Sequence, residues 1–209
     1  MKQLQDFDMT THPNIELNDL QWFQYLHDSY FHLDIFHLRT QEKLTHLLKH
    51  LYKYNQSEVT VHHHTYFADS LACLFSMANA LGCDIAEALK THDILTTTID
   101  GLPNIFAGKY IHNGISGRLG KLSKDLEGID HLEALQYRTN MISNITGLLI
   151  LVVQLYREQE NTTSLLGLVQ CYVRRLDEVK KKNLFFSRIH STLTSTDQCY
   201  QSFYRLLEL

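Results

Sequence analysis

Breakers of regular structure are scarce in this chain, and apolar residues recur at helical spacing through most of its length. Two prolines (Pro13 and Pro103) and nine glycines are spread over 209 residues, a composition that favours long helices. From 34 to 54, the apolar positions Ile35, Leu38, Leu44, Leu47, Leu48 and Leu51 recur mostly at three and four, the spacing of an amphipathic helix. No segment alternates at period two over a strand's length. The fold class expected is all-α: an antiparallel helical bundle with short loops between neighbours.

The segments divide as follows. Residues 1–16 are polar and read as an N-terminal arm. Residues 17–95 form a first helical unit. Within it, Asn18 or Asp19 would cap a helix starting near Leu20, one long helix would run from Asp34 to Tyr54, and another from about Val61 to Leu81. Gly82 is placed to stop that helix. Asp84-Ile85-Ala86-Glu87 has the form of a capping box for a short helix. Residues 96–114, with Pro103 and three glycines, read as a linker. A second helical unit, 115–209, would carry helices at about 115–126, 132–157, 164–186 and 195–207.

The two units resemble each other. Lys43–Leu51 lies over Arg118–Leu126 with three leucines and one lysine coincident. At the same offset, Phe67–Leu71 meets Ile142–Thr146. Repetition of this kind points to stacked, similarly built units, here two tandem helical repeats that would form a pseudo-dimer.

Composition excludes several classes. A formal net charge of -4 argues against a nucleic-acid surface built on bulk positive charge. The four cysteines (Cys73, Cys83, Cys171, Cys199) are scattered without a Cys-x-x-Cys pair, so neither a disulfide framework nor a zinc finger is indicated. The polar stretch Met1–Asp8 lacks a signal-peptide core. The apolar run Gly147–Val153 is far shorter than the roughly 20 residues that span a bilayer. The expectation is a cytoplasmic protein with no membrane partner. Leu148–Val153, apolar all round, reads as a buried helix or a subunit interface.

The stretch Phe67–Leu89, containing Asp69-Ser70-Leu71, then Ala78-Asn79-Ala80-Leu81-Gly82-Cys83-Asp84, then Glu87-Ala88-Leu89, resembles the third and fourth helices of MazG-type nucleoside triphosphate pyrophosphohydrolases. The resemblance covers about 34–91 well and 115–157 weakly, and the related all-α dUTPases share the pattern. It implies a helical core in which two helices present acids to Mg²⁺, and in which paired units make a dimer. Mg²⁺ neutralises a triphosphate and helps activate water, giving pyrophosphate and a nucleoside monophosphate.

Mapped onto this chain, the acidic positions of that pattern read Glu42, Lys43, His46, Tyr66 and Asp69, so two acids remain. In the second copy they read Gly117, Arg118, Lys121, Met141 and Asn144, with none. Glu42, His46 and His50 fall at i, i+4 and i+8 on one helix stripe, and Asp69 would approach from the next helix. The site expected is therefore a reduced or remodelled divalent-metal site of Glu42, Asp69, His46 and His50. Glu42 and Asp69 would be ligands, with His46 or His50 a third ligand or general base. The resemblance implies Mg²⁺, while imidazole beside carboxylate suits Mn²⁺ or Fe²⁺ better; Mg²⁺ or Mn²⁺ is the expected ion, ahead of Zn²⁺. Mixed imidazole and carboxylate donors also suit Zn²⁺. Arg118, Lys121 and Lys124 offer a metal-free phosphate site or simply an exposed basic face. His92-Asp93, with His62–His64 and Asp125 or Asp130, admits an HD-type phosphohydrolase. Two functions stay open: nucleotide hydrolysis, and a catalytically inert helical module that binds a protein partner or a second copy of itself.

Overall fold

The computed structural model describes residues 14–32, 38–56, 63–104, 110–130, 136–182 and 198–206. Its elements are α1 (Leu17–Phe31), α2 (Thr40–Gln56), α3 (His63–Ala80), α4 (Ile85–Leu89) with a 3₁₀ turn at Lys90–His92, α5 (Tyr110–Asp130), α6 (Tyr137–Glu160), α7 (Leu166–Lys182) and α8 (Gln198–Arg205). Among the described residues no strand forms. Among these residues the one extended pairing is an isolated bridge between Glu16 and Thr98. The all-α expectation holds.

Local chemistry sets several boundaries. Gly82 takes φ +57° just past α3. The N–H of Gly82 reaches the Asn79 carbonyl (3.1 Å) and that of Cys83 reaches Ala78 (2.9 Å), which is a Schellman stop. Asp84 caps α4 by accepting from the Glu87 N–H (3.0 Å). The reciprocal half of the box is not made, because the Glu87 carboxylate pairs with Lys90 Nζ at 2.6 Å.

The start of α1 differs from expectation. The helix opens at Leu17, after Glu16, with no side-chain cap. Its first N–H is satisfied from a distant loop instead, Leu17 donating to the Thr97 carbonyl (2.8 Å). Asn18 is drawn away to donate to Asp84 Oδ2 (3.1 Å). Likewise α2 starts at Thr40, and Leu38 and Arg39 are not helical. Part of the long helix expected from Asp34, including Ile35, lies outside the described residues. In the opposite direction, α5 begins at Tyr110, five residues before the expected start.

One apolar cluster draws on every helix from Ile15 to Leu206. Helix α2 packs on α3 and α5 on α6; across the bundle, α2 also meets α5 and α3 meets α6. Helix α7 lies against α3, and α8 docks on α1, with Phe203 4.9 Å from Phe23 between ring centres. The 96–104 segment is clamped. Ile99 and Leu102 are buried, and the guanidinium of Arg157 on α6 donates to the carbonyls of Asp100 (2.8 Å), Leu102 (2.8 Å) and Pro103 (3.2 Å). Leu148, Leu149, Ile150, Val152 and Val153 are core residues, so of the two readings of that run the structure selects the buried helix. Helix α6 is long and apolar enough to cross a membrane, and 72% of its apolar window is buried. Helices α3 and α4 pass the same test only as a pair bent by 95°.

Candidate functional site

Helices α2 and α3 are adjacent and antiparallel. Lys43, early in α2, feels the Asp28 carboxylate, which is held by Ser76 late in α3. One end over, His50 late in α2 feels Asp69 early in α3. The expected rod geometry is therefore present, but its side chains are committed elsewhere. Arg175 of α7 grips Asp69 through Nε–Oδ1 (2.7 Å) and Nη2–Oδ2 (3.3 Å), a two-point fork of the strongest kind. Hydrogen bonding to Asp69 first of all raises the Arg175 pKa still further. Asp69 is mostly covered and Arg175 about three-quarters covered.

Glu42 lies exposed in the first turn of α2, accepting from the Arg39 N–H (3.3 Å). His46 and His50 stack with ring centres 4.6 Å apart. Burial, then the neighbouring His46 and Lys53, lowers the His50 pKa, with Asp69 opposing. Among the described residues, Glu42, His46, His50 and Asp69 do not converge as a donor group for a cation. The oxygen-rich set Mg²⁺ requires is not assembled there.

The basic residues of the second copy separate. Arg118 turns inward over Gly147, where its guanidinium fills the space a Cβ would need, and donates to the Ser143 carbonyl (3.2 Å). Burial lowers its pKa. Lys121 and Lys124 stay exposed. His92 Nε2 lies 3.1 Å from Thr146 Oγ1, and Asp93 follows in a left-handed turn. Asp125 is buried on α5, where loss of water raises its pKa against the pull of Asn140 and Asn144 on α6. His62 lies outside the described residues.

Sequence reasoning missed a polar cluster at the end of α1. Asp28 is buried and accepts from Gln24 Nε2 at Oδ1 (2.8 Å) and from Ser76 Oγ at Oδ2 (2.7 Å). Gln24 is itself oriented by the Tyr172 hydroxyl (2.8 Å). His27 and His32 bring Nδ1 to 3.9 and 3.7 Å from Asp28 Oδ1, too long for hydrogen bonds. Burial lowers the His27 pKa. The available signal was an i, i+1, i+5 trio of His27, Asp28 and His32. Helical periodicity does not reveal it, because the trio acquires its partners only from α3 and α7, through Ser76 and the Leu176 carbonyl.

A second surface is built on the same helix. Trp22 and Tyr25 stack at 5.1 Å and 16° and remain 46% and 38% exposed. They border a cleft of about 350 Å³ shared with Asn18, Gln21, Asn79 and Asp84. Its floor is fixed by Gln21, which donates to Asn79 Oδ1 (2.9 Å) and accepts from the Ile85 N–H (3.1 Å).

No family model, curated protein or solved structure matches the chain.

Proposed function

We propose that this protein is a divergent relative of the MazG-type proteins that works as a catalytically inert helical module, joining a second copy of itself. One observation carries the reading: Asp69, one of the two motif acids left in the chain, is neutralised by a forked bond to Arg175. A carboxylate satisfied in this way is a structural partner and not an open ligand. The MazG-like ancestry is supported by the residues of Phe67–Leu89 and by the way the helices pair. The pairs α2/α3 and α5/α6 occupy corresponding positions in the repeat, and α2 meets α5 as α3 meets α6, the contact pattern of a pseudo-dimer. The stacked, exposed Trp22 and Tyr25 give the module a contact surface of the residue types enriched in interfaces.

A second reading keeps nucleoside triphosphate pyrophosphohydrolysis with a divalent metal. It is favoured by His50 lying close enough to Asp69 across the α2/α3 pair to feel its charge, imidazole being the side chain best suited to moving a proton near neutral pH. One experiment separates the two. The protein is incubated with a panel of nucleoside triphosphates under Mg²⁺, Mn²⁺ and Zn²⁺, and pyrophosphate is measured. The inert module releases none and shows no nucleotide-dependent thermal shift. Turnover abolished by both Glu42→Gln and Asp69→Asn would establish the enzyme in its place.

A further inference from the structure

The cluster at the end of α1 contains an electrostatic conflict. His27 has no exposed surface, and its Nε2 lies 3.0 Å from the Leu176 carbonyl. A carbonyl only accepts, so the hydrogen-bond network assigns the ring proton to Nε2 and leaves a lone pair at Nδ1. That buried Nδ1 has no hydrogen-bond partner. It faces Asp28 Oδ1, another acceptor, at 3.9 Å. His32 Nδ1 lies 3.7 Å from the same oxygen. An orphaned acceptor pointed at a buried carboxylate is unfavourable by itself, and becomes favourable when a cation lies between the two.

We propose that His27, Asp28 and His32 form a three-ligand site for a divalent transition metal of the Zn²⁺ class, with its open position on the His32 side. The donor atoms of the three residues all lie within 4.8 Å of one another. Metal–nitrogen and metal–oxygen bonds of about 2.0–2.2 Å in a tetrahedron place ligand atoms about 3.4 Å apart. The observed 3.7 and 3.9 Å to the carboxylate therefore close by about half an ångström or less, and the two imidazole nitrogens, no more than 4.8 Å apart, by at most about 1.4 Å, through side-chain rotation. Two imidazoles and one carboxylate select a borderline transition metal over Mg²⁺ or Ca²⁺.

The surroundings match what such a site needs. The Leu176 carbonyl fixes the His27 tautomer from behind, and Gln24 and Ser76 hold the carboxylate. Outer partners of this type orient metal-binding imidazoles and carboxylates. His32 keeps about a quarter of its side chain exposed, which gives an ion access. Local geometry explains the convergence. Asp28 and His32 are one turn apart, and His32 leaves the helix at φ −125° and ψ 49° while its N–H still bonds the Asp28 carbonyl. Lys43 on α2 lies close enough to feel the Asp28 charge, and it supplies no ligand, because an ammonium group only donates.

The site is independent of the interaction-module reading, and either stands if the other fails. The test titrates the full chain, stripped with a chelator, with Zn²⁺ and separately with Co²⁺. One equivalent of Zn²⁺ is expected to bind and raise the melting temperature, and Co²⁺ to develop the visible absorption of a low-coordinate complex. His32→Ala is expected to weaken binding by at least about tenfold with an unchanged far-ultraviolet circular dichroism spectrum, and His46→Ala to leave it unaltered. His32→Gln, which keeps the bulk of the side chain, repeats the measurement if the alanine variant loses helix. The proposal is overturned by the absence of stoichiometric binding, by wild-type affinity in the folded His32 variant, or by loss of binding in His46→Ala.

Discussion

Burial controls the reactivity of individual side chains in this molecule, and the cysteines show it most directly. Cys73 and Cys83 are free and buried. Burial first, against a lowering by Arg138, pushes the Cys83 thiol up to about 11. Burial together with the Asp69 and Asp28 charges pushes Cys73 higher still. The thiolate is the reactive form, so both thiols are expected to resist a maleimide at pH 8 in the folded protein and to react on unfolding, with reagent incorporation read by mass spectrometry. The same shift has a stability consequence. Above the ordinary thiol range of about 8.5 the unfolded chain releases these protons while the folded chain retains them. Stability therefore falls as pH rises from there toward 11, and denaturant midpoints measured at pH 8 and pH 10 check the sign. The apolar neighbours of Cys73, Leu71, Ala72, Leu74 and Phe75, are legible in the sequence. Asp28 is not, because its meaning depends on Ser76, forty-eight positions away, and on Tyr172 behind Gln24.

Among the elements, helix starts and stops were readable wherever the controlling residue is a neighbour in sequence. Gly82 and Asp84 act through bonds spanning a few residues, and both were expected. The start of α1 was misplaced because its capping partner, the Thr97 carbonyl, is supplied by tertiary structure. Helix α5 separates local from packing effects in its glycines. Gly117 and Gly120 are exposed with nothing within 4 Å of a built Cβ. Alanine at either should stabilise the protein by about 0.5–1 kcal/mol, the helix-propensity difference. Gly82→Ala, at φ +57°, should destabilise by about 1–2 kcal/mol; chemical denaturation of the three variants tests the contrast. Between elements, the Asp69–Arg175 fork ties α3 to α7. Arg175→Ala leaves a mostly covered carboxylate without its partner and should cost about 1–3 kcal/mol. A loss below about 0.3 kcal/mol would make it an ordinary surface pair.

At the scale of the whole molecule, assembly is the property to measure. Trp22 is the only tryptophan of the chain and half of the exposed aromatic stack, so its emission reports on that surface alone. Self-association through it predicts a light-scattering mass that rises with concentration, accompanied by a blue shift of the emission, and loss of both in Trp22→Ser. A concentration-independent single-chain mass would remove this surface from consideration. The sequence by itself determined the class of fold: helical periodicity, rare breakers and neighbour-range caps are local physics, and they act before any long-range contact forms. What only the tertiary structure decided is how the polar groups are partnered. Whether Asp69 is an open ligand or half of an ion pair depends on Arg175, 106 positions along the chain, and whether His27 and Asp28 are surface residues or a buried donor set depends on α3 and α7 closing over them. Charge and lone pairs act through space, and their neighbours are set by packing that helical periodicity does not encode.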